Sequence, residues 1–321
     1  MQFINESLME LDLSNVHPIL KNTTEYVIHT GGKRLRPLIM SLCAELVEGD
    51  YRGTKDTFLA LELIHNASLV HDDIIDEDRF RRGVPSLHIE QGVKKAVLTG
   101  DILLSMGLMY ASRTGNPRII NWLSETSLKM VQGFVIQSLK RRKLMSVEEY
   151  LNMNYLKSGS LFEAAAALGA EAGTDNPEIV KRLSEFGKFF GNAYQIRDDL
   201  MDAFTHNNDN NSPNNDLING DISLPLIYAL ESKKILAVDK KKLMNVYTGR
   251  SKELNLVEIR RIYEETEALQ KTVEKMMDFA QQASEILKAF KDCSAKMGLM
   301  VLLDQYNSGL SYLQMNSINT N

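Results

Sequence analysis

The chain has 321 residues, 44% hydrophobic and 25% charged, which allows a sizeable core and excludes a disordered or fibrous polymer. A formal net charge of −5 argues against general binding to nucleic acid or anionic membrane, so basic clusters read as local sites. Two cysteines, Cys43 and Cys293, lie outside metal-ligand spacing and suit a reducing, cytoplasmic setting. The first residues lack a basic and apolar leader, and no apolar run approaches the ~20 residues of a membrane span.

In chain order, helical periodicity dominates. Apolar residues recur at i, i+3, i+4 and i+7 over 37–49, 57–76, 97–113, 119–140, 160–173, 178–204 and 273–292. Stretches 58–71 and 161–170 are apolar on most faces, which predicts helices inside a bundle. Pro37, after a Gly-Gly turn, suits a first helical turn. Residues 50–55 and 113–117 read as short connectors, and the lysine-rich 232–257 as a solvated helix pair. The Asn-rich HNNDNNSPNNDLINGD, 206–221, reads as a flexible active-site loop. No alternating strand stands out. The expectation is a single all-α domain over 1–321, a large helical bundle.

Residues 69–78, LVHDDIIDED, follow an apolar run with five acids in seven positions. Two like charges 6 Å apart cost about 3 kcal/mol at an effective dielectric of 20, so such a cluster needs a counter-charge. On a helix, Asp72 and Asp76 share a face one turn apart, with Asp73 about 100° round. QIRDDLMDAF, 195–204, repeats the pattern with Asp198, Asp202 and Asp199. One copy alone reads equally well as a hydrated helix end. Two copies, each at a helix C-terminus where the macrodipole disfavours acids, point to a bound hard cation. All-oxygen donors suit Mg2+, which takes one or two carboxylates plus substrate phosphates.

Two basic clusters supply the other half of such a site. GGKRLRP, 31–37, sets Lys33, Arg34 and Arg36 after two glycines that let backbone approach an anion. RFRRG, 79–83, offers Arg81 and Arg82 as phosphate forks directly after the first acidic motif.

Together, GGKRLRP, ELIHNASLVHDDIIDEDRFRRGVPSLH, LTGDILLS, LKSGSLFEAAAALGA, GNAYQIRDDLMDAF and GDISLPLIYAL resemble the trans-prenyl diphosphate synthase (polyprenyl synthetase) family, in order from about residue 28 to 230. The resemblance implies a bundle around a central apolar cavity. It also implies condensation of isopentenyl diphosphate with an allylic diphosphate to give a linear all-trans product. Mg2+, three ions per site, would bridge Asp72, Asp76, Asp198 and Asp202 to the allylic diphosphate, with Asp73 and Asp199 in support. Lys33, Arg36, His65 and Arg82 match contacts to isopentenyl diphosphate. Arg81, Lys157, Ser158 and Gln195 match contacts to the allylic diphosphate. Ala67 and Ser68, the residues five and four before the first motif, match the chain-length gate. Both are small, which implies geranylgeranyl or longer products. A homodimer is implied, with a heteromer as the alternative.

The sequence departs from the family where lysines usually follow the second motif: asparagine stands near the first position and Asp221 at the second. Phe134 stands where an acid or amide is common. Some heptaprenyl synthase catalytic subunits that work with a partner chain also lack the second lysine, so a heteromeric or regulatory subunit stays open. A class I terpene cyclase is the third reading. It is disfavoured because Asp202 and His206 stand where a cyclase would have Ser or Thr and Glu.

Overall fold

The computed structural model describes residues 2–204, 215–251 and 255–308, so most of the expected loop at 206–221 lies outside the described residues. The helices are, in order, α1 (Gln2–Met9), α2 (Pro18–His29), α3 (Leu35–Leu46), α4 (Lys55–Ile75), α5 (Leu87–Gln91), α6 (Val93–Arg113), α7 (Pro117–Lys140) and α8 (Val147–Asn154). They continue as α9 (Ser160–Glu171), α10 (Pro177–Phe204), α11 (Asn215–Asn219), α12 (Leu224–Glu231), α13 (Ala237–Tyr247), α14 (Leu256–Glu265), α15 (Ala268–Lys288) and α16 (Ser294–Ser308). The fold is all-α, as the periodicity predicts. One short antiparallel pair, β1 (Phe80–Arg81) with β2 (Val84–Pro85), was not legible as strand. Its two-residue arms are too short to alternate. Among the described residues no helix is long and apolar enough to cross a membrane.

The chain forms two compact units, one of residues 1–130, 160–187 and 292–296, the other of 131–159, 188–291 and 297–321. In the first unit α4 is wholly enclosed over Phe58–Ile64, which explains its apolar character on most faces, Glu62 being neutralised by Arg34. α9 is likewise buried from Ser160 to Ala170 except at Glu163. Small residues bring its backbone close to α3: a Cβ on Gly169 would come within 2.3 Å of the Met40 carbonyl oxygen. Gly107 of α6 does the same for α4, where a Cβ would meet Ile64 at 2.8 Å.

The second unit encloses Tyr150, Ile196, Leu200, Leu224, Leu226, Tyr247, Tyr263 and Met276 in one apolar core. α8 starts with a reciprocal cap, in which Glu149 N–H donates to Ser146 Oγ (3.2 Å) and Ser146 N–H to Glu149 Oε2 (2.9 Å). The lysine-rich 232–257 forms one helix, α13, rather than a pair; α14 begins only at its last two residues. Each buries one face, through Leu243, Val246 and Tyr247 and through Ile259, Ile262 and Tyr263. The last residues of the expected loop form α11, which closes on Gly220 at φ +80°. Asp221 N–H reaches the Asp216 carbonyl (2.8 Å) and Gly220 N–H that of Leu217 (3.3 Å), the Schellman pattern.

Candidate functional site: two aspartate clusters

The first cluster, in the first unit, stands at the C-terminal end of α4. Asp72 and Asp73 are buried, and Asp76 caps the helix through its N–H to the Asp72 carbonyl (2.8 Å). Burial raises the Asp73 carboxyl above its ordinary range, and the Arg81 guanidinium opposes that rise. Arg81 donates through Nε to Asp73 Oδ1 (2.7 Å), makes a second, closer contact to the same oxygen, and reaches Asp78 Oδ2 at 3.3 Å. Burial would lower Arg81, but Asp73, Asp72 and Asp78 raise it on balance. The counter-charge that the crowded acids need is therefore supplied by the strand pair.

The glycine turn before α3 sits beside this cluster. Arg82 donates to the Gly31 carbonyl, and a Cβ on Gly32, at φ +141°, would collide with the Arg82 guanidinium at 2.8 Å. The close approach that the glycines permit is made here by an arginine. Lys33 is exposed at this turn. Arg34 takes a structural role: it is buried in an ion pair with Glu62 (2.8 Å) and bonds the Ile28 carbonyl (3.1 Å). Arg36 reaches His65 Nε2 at 3.1 Å and stacks on the Phe162 ring at 4.3 Å. Burial, then the charges of Arg36, Arg82, Arg34 and Arg81, hold His65 well below its ordinary pKa, so the imidazole is neutral and accepts from Arg36. One helical turn before Asp72, the Ser68 hydroxyl donates to the His65 carbonyl (2.8 Å), while Ala67 is fully enclosed.

The second cluster lies in the second unit, near the end of α10. Asp199 is buried and receives hydrogen bonds from Tyr150 Oη and from Gln195 Nε2 (3.0 Å). Burial pushes its carboxyl up to about 7, helped by the Asp198 and Asp202 charges and opposed by those two donors. Asp198 lies 3.6 Å from the Arg197 guanidinium, and Asp202 Oδ2 accepts the Asp216 N–H at 3.2 Å. Asp216 is itself raised by burial and then by Asp202, Asp199 and Asp221. Lys157 and Ser158 occupy a π-helical stretch, Tyr155–Gly159, a distortion common at functional sites. The Lys157 ammonium donates to Gln137 Oε1 (2.6 Å) and lies 5.2 Å from the centre of the Phe134 ring.

Within the first unit, Arg81 is thus held by the first motif, Arg36 pairs with His65, and Arg82 holds the glycine turn. Within the second, Gln195 and the second motif are linked, and Lys157 joins α7. Tyr150, Gln137, Arg141, Asp216 and Asp221 were not among the expected site residues. Only Asp221 carried a sequence signal, as a departure from the family pattern. Among the described residues no three acidic, histidine or cysteine groups form a ready-made metal cage. The donors present are hard carboxylate oxygens, which fit a cation that also draws ligands from phosphate and water.

A short chain isoprenyl diphosphate synthase of Methanothermobacter thermautotrophicus is 30% identical over 299 residues, 91% of each chain. The crystal structure of a geranylgeranyl pyrophosphate synthetase from Pyrococcus horikoshii superposes with a TM-score of 0.87 at 30% identity, over 95% of both chains. A polyprenyl synthase from Caulobacter crescentus, complexed with calcium and isoprenyl diphosphate, gives 0.83 at 27% identity, over 96% of this chain and 92% of that one. The polyprenyl synthetase family model matches residues 17–266, and the chain belongs to that family of prenyltransferase enzymes.

Proposed function

We propose that the protein condenses isopentenyl diphosphate with an allylic diphosphate to a linear all-trans polyprenyl diphosphate of geranylgeranyl length or longer. The observation that carries this reading is the end of α4, where buried acids, Arg81, Arg82, Arg36 and neutral His65 gather beyond a largely apolar, enclosed stretch of the helix. Asp72, Asp76, Asp198 and Asp202 would hold Mg2+, three ions in the full complex. Bound there, Mg2+ would offset charge building on the departing diphosphate. Lys157 and Arg81 stabilise the same leaving group, Ser158 and Gln195 orient it, and Asp73 and Asp199 anchor the two motifs. Lys33, Arg36, Arg82 and His65 bind the second diphosphate; an uncharged imidazole there contributes a hydrogen-bonding group without repelling its arginine neighbours. An apolar interior excludes water that would quench the allylic cation. The double bond of isopentenyl diphosphate then attacks, and loss of a proton to the released diphosphate restores a neutral allylic chain.

The test is turnover by the purified chain with Mg2+, isopentenyl diphosphate and geranyl or farnesyl diphosphate, with products sized by mass spectrometry. Linear products support the reading; cyclic hydrocarbons, or no turnover at all, overturn it. We further infer a cytoplasmic homodimer. α7 leaves Leu128, Val131, Val135 and Leu139 exposed at spacings of three and four, an apolar stripe of the kind that a second copy covers. Val131→Lys with Val135→Lys is expected to convert a dimer into monomer by light scattering.

A further inference from the structure

Asp221 stands where the resemblance leads one to expect a lysine, and the structure shows what the carboxylate does instead. Arg141 grips it at two points, Nε to Oδ1 and Nη2 to Oδ2, both 3.1 Å. Gln137 Nε2 also donates to Oδ1 (3.1 Å), and its Oε1 accepts the Lys157 ammonium at 2.6 Å. Gly133 and Gln137 lie one turn apart on one face of α7, and Arg141 follows directly after its last residue, Lys140. Gly133 lets the π-helical stretch approach that face, since a Cβ there would sit 2.4 Å from the Lys157 backbone nitrogen. At the other end the carboxylate is fixed by backbone. The Schellman closure of α11 sets Asp221, and Arg142 N–H holds the preceding Gly220 carbonyl at 2.7 Å.

An amide can present its oxygen to the ammonium only if its other end is held, because a free Gln137 would turn about its terminal torsion. Asp221 accepts from the amide nitrogen and so aims the amide oxygen at Lys157. Arg141 balances the charge that Asp221 brings to an already acidic neighbourhood. We propose that Asp221 is a positioning residue for the allylic diphosphate, acting through Gln137 on the Lys157 ammonium. This rests on the reading of Lys157 as a contact to that diphosphate.

The test uses the full chain with Mg2+, isopentenyl diphosphate and farnesyl diphosphate, and determines kcat, both KM values and the melting temperature. Asp221→Ala and Gln137→Ala are each expected to raise the KM for farnesyl diphosphate about tenfold, with kcat and the isopentenyl diphosphate KM within about threefold of wild type. Asp221→Asn, whose amide oxygen still accepts from Gln137, is expected to recover most of that loss. Asp221→Ala combined with Lys157→Ala should be no worse than Lys157→Ala alone, because the two act in series. Gln137→Ala breaks the link without touching the α11 closure, so it answers the question should Asp221→Ala fail to fold. Unchanged farnesyl diphosphate KM in Gln137→Ala, or additive losses in the double variant, overturns the proposal. If Lys157→Ala itself leaves that KM unchanged, the underlying assignment of Lys157 fails instead.

Discussion

The two aspartate motifs share a sequence pattern and differ in what holds their middle acid. Asp73 rests on a cation, Arg81, delivered by the strand pair five residues beyond the motif. Asp199 rests on two neutral donors, Tyr150 and Gln195. Both carboxyls are raised by burial, but at Asp73 a full charge opposes the rise, whereas Asp199 reaches about 7. One short pattern therefore encodes two electrostatic environments, and the partner sets which one results.

The largest expected effect tests whether the motifs share one leaving group. Asp72→Ala and Asp198→Ala should each lower kcat by about 10³-fold or more, since charge stabilisation at ionisation is the dominant catalytic contribution. A variant of either motif with near-normal turnover would show that the two are not equivalent partners.

Next come the holders of the middle acids. Arg81→Ala strands a buried carboxylate and should cost about 2–3 kcal/mol in urea unfolding, less than a fully enclosed pair because the Arg81 side chain is 31% exposed. Tyr150→Phe removes one neutral donor and should cost about 1–2 kcal/mol. Equal costs would erase the distinction between the two environments.

Much of this was legible beforehand, and the physics of each residue says why. The enclosed faces of α4 and α9 follow from stretches apolar on most faces, and the acid pairs from helical spacing. Tyr150 lies 49 residues before Asp199, and Arg141 lies 80 before Asp221. No local periodicity marks such partners, because the fold chooses them. Arg34 illustrates the same limit: its sequence neighbours are candidate phosphate ligands, yet Glu62 claims it for the core. The Asn-rich run suggested loop throughout, but its end becomes helix where Gly220 can close a turn and Asp202 can accept from Asp216.

A smaller effect concerns pH. An unfolded aspartyl group titrates near 3.8, while folded Asp199 does so near 7. Between those values the unfolded chain binds fewer protons, so metal-free stability should fall as pH rises across that window. Asp216 contributes with the same sign. Asp199→Asn should flatten the slope of urea midpoints between pH 4 and 7 without abolishing it. An unchanged slope would show that burial does not raise the Asp199 carboxyl.

The gentlest intervention leaves both motifs intact. Four residues before the first motif stands Ser68, and four before the second stands Tyr194. Ser68→Phe is expected to shorten the products, read by chromatography, with total turnover within a few-fold of wild type. Unaltered product length would assign chain-length control elsewhere.

The contact between α3 and α9 acts as a ruler. At Gly169 the spacing is set by main chain against main chain, with no rotamers to absorb a change. Two turns away on α9 lies Phe162, against which Arg36 of α3 is stacked. A single methyl group added at Gly169 would wedge the helices apart and carry that displacement to the guanidinium. Cationic reach at one end of the pair is thereby gauged by the thinness of its far end.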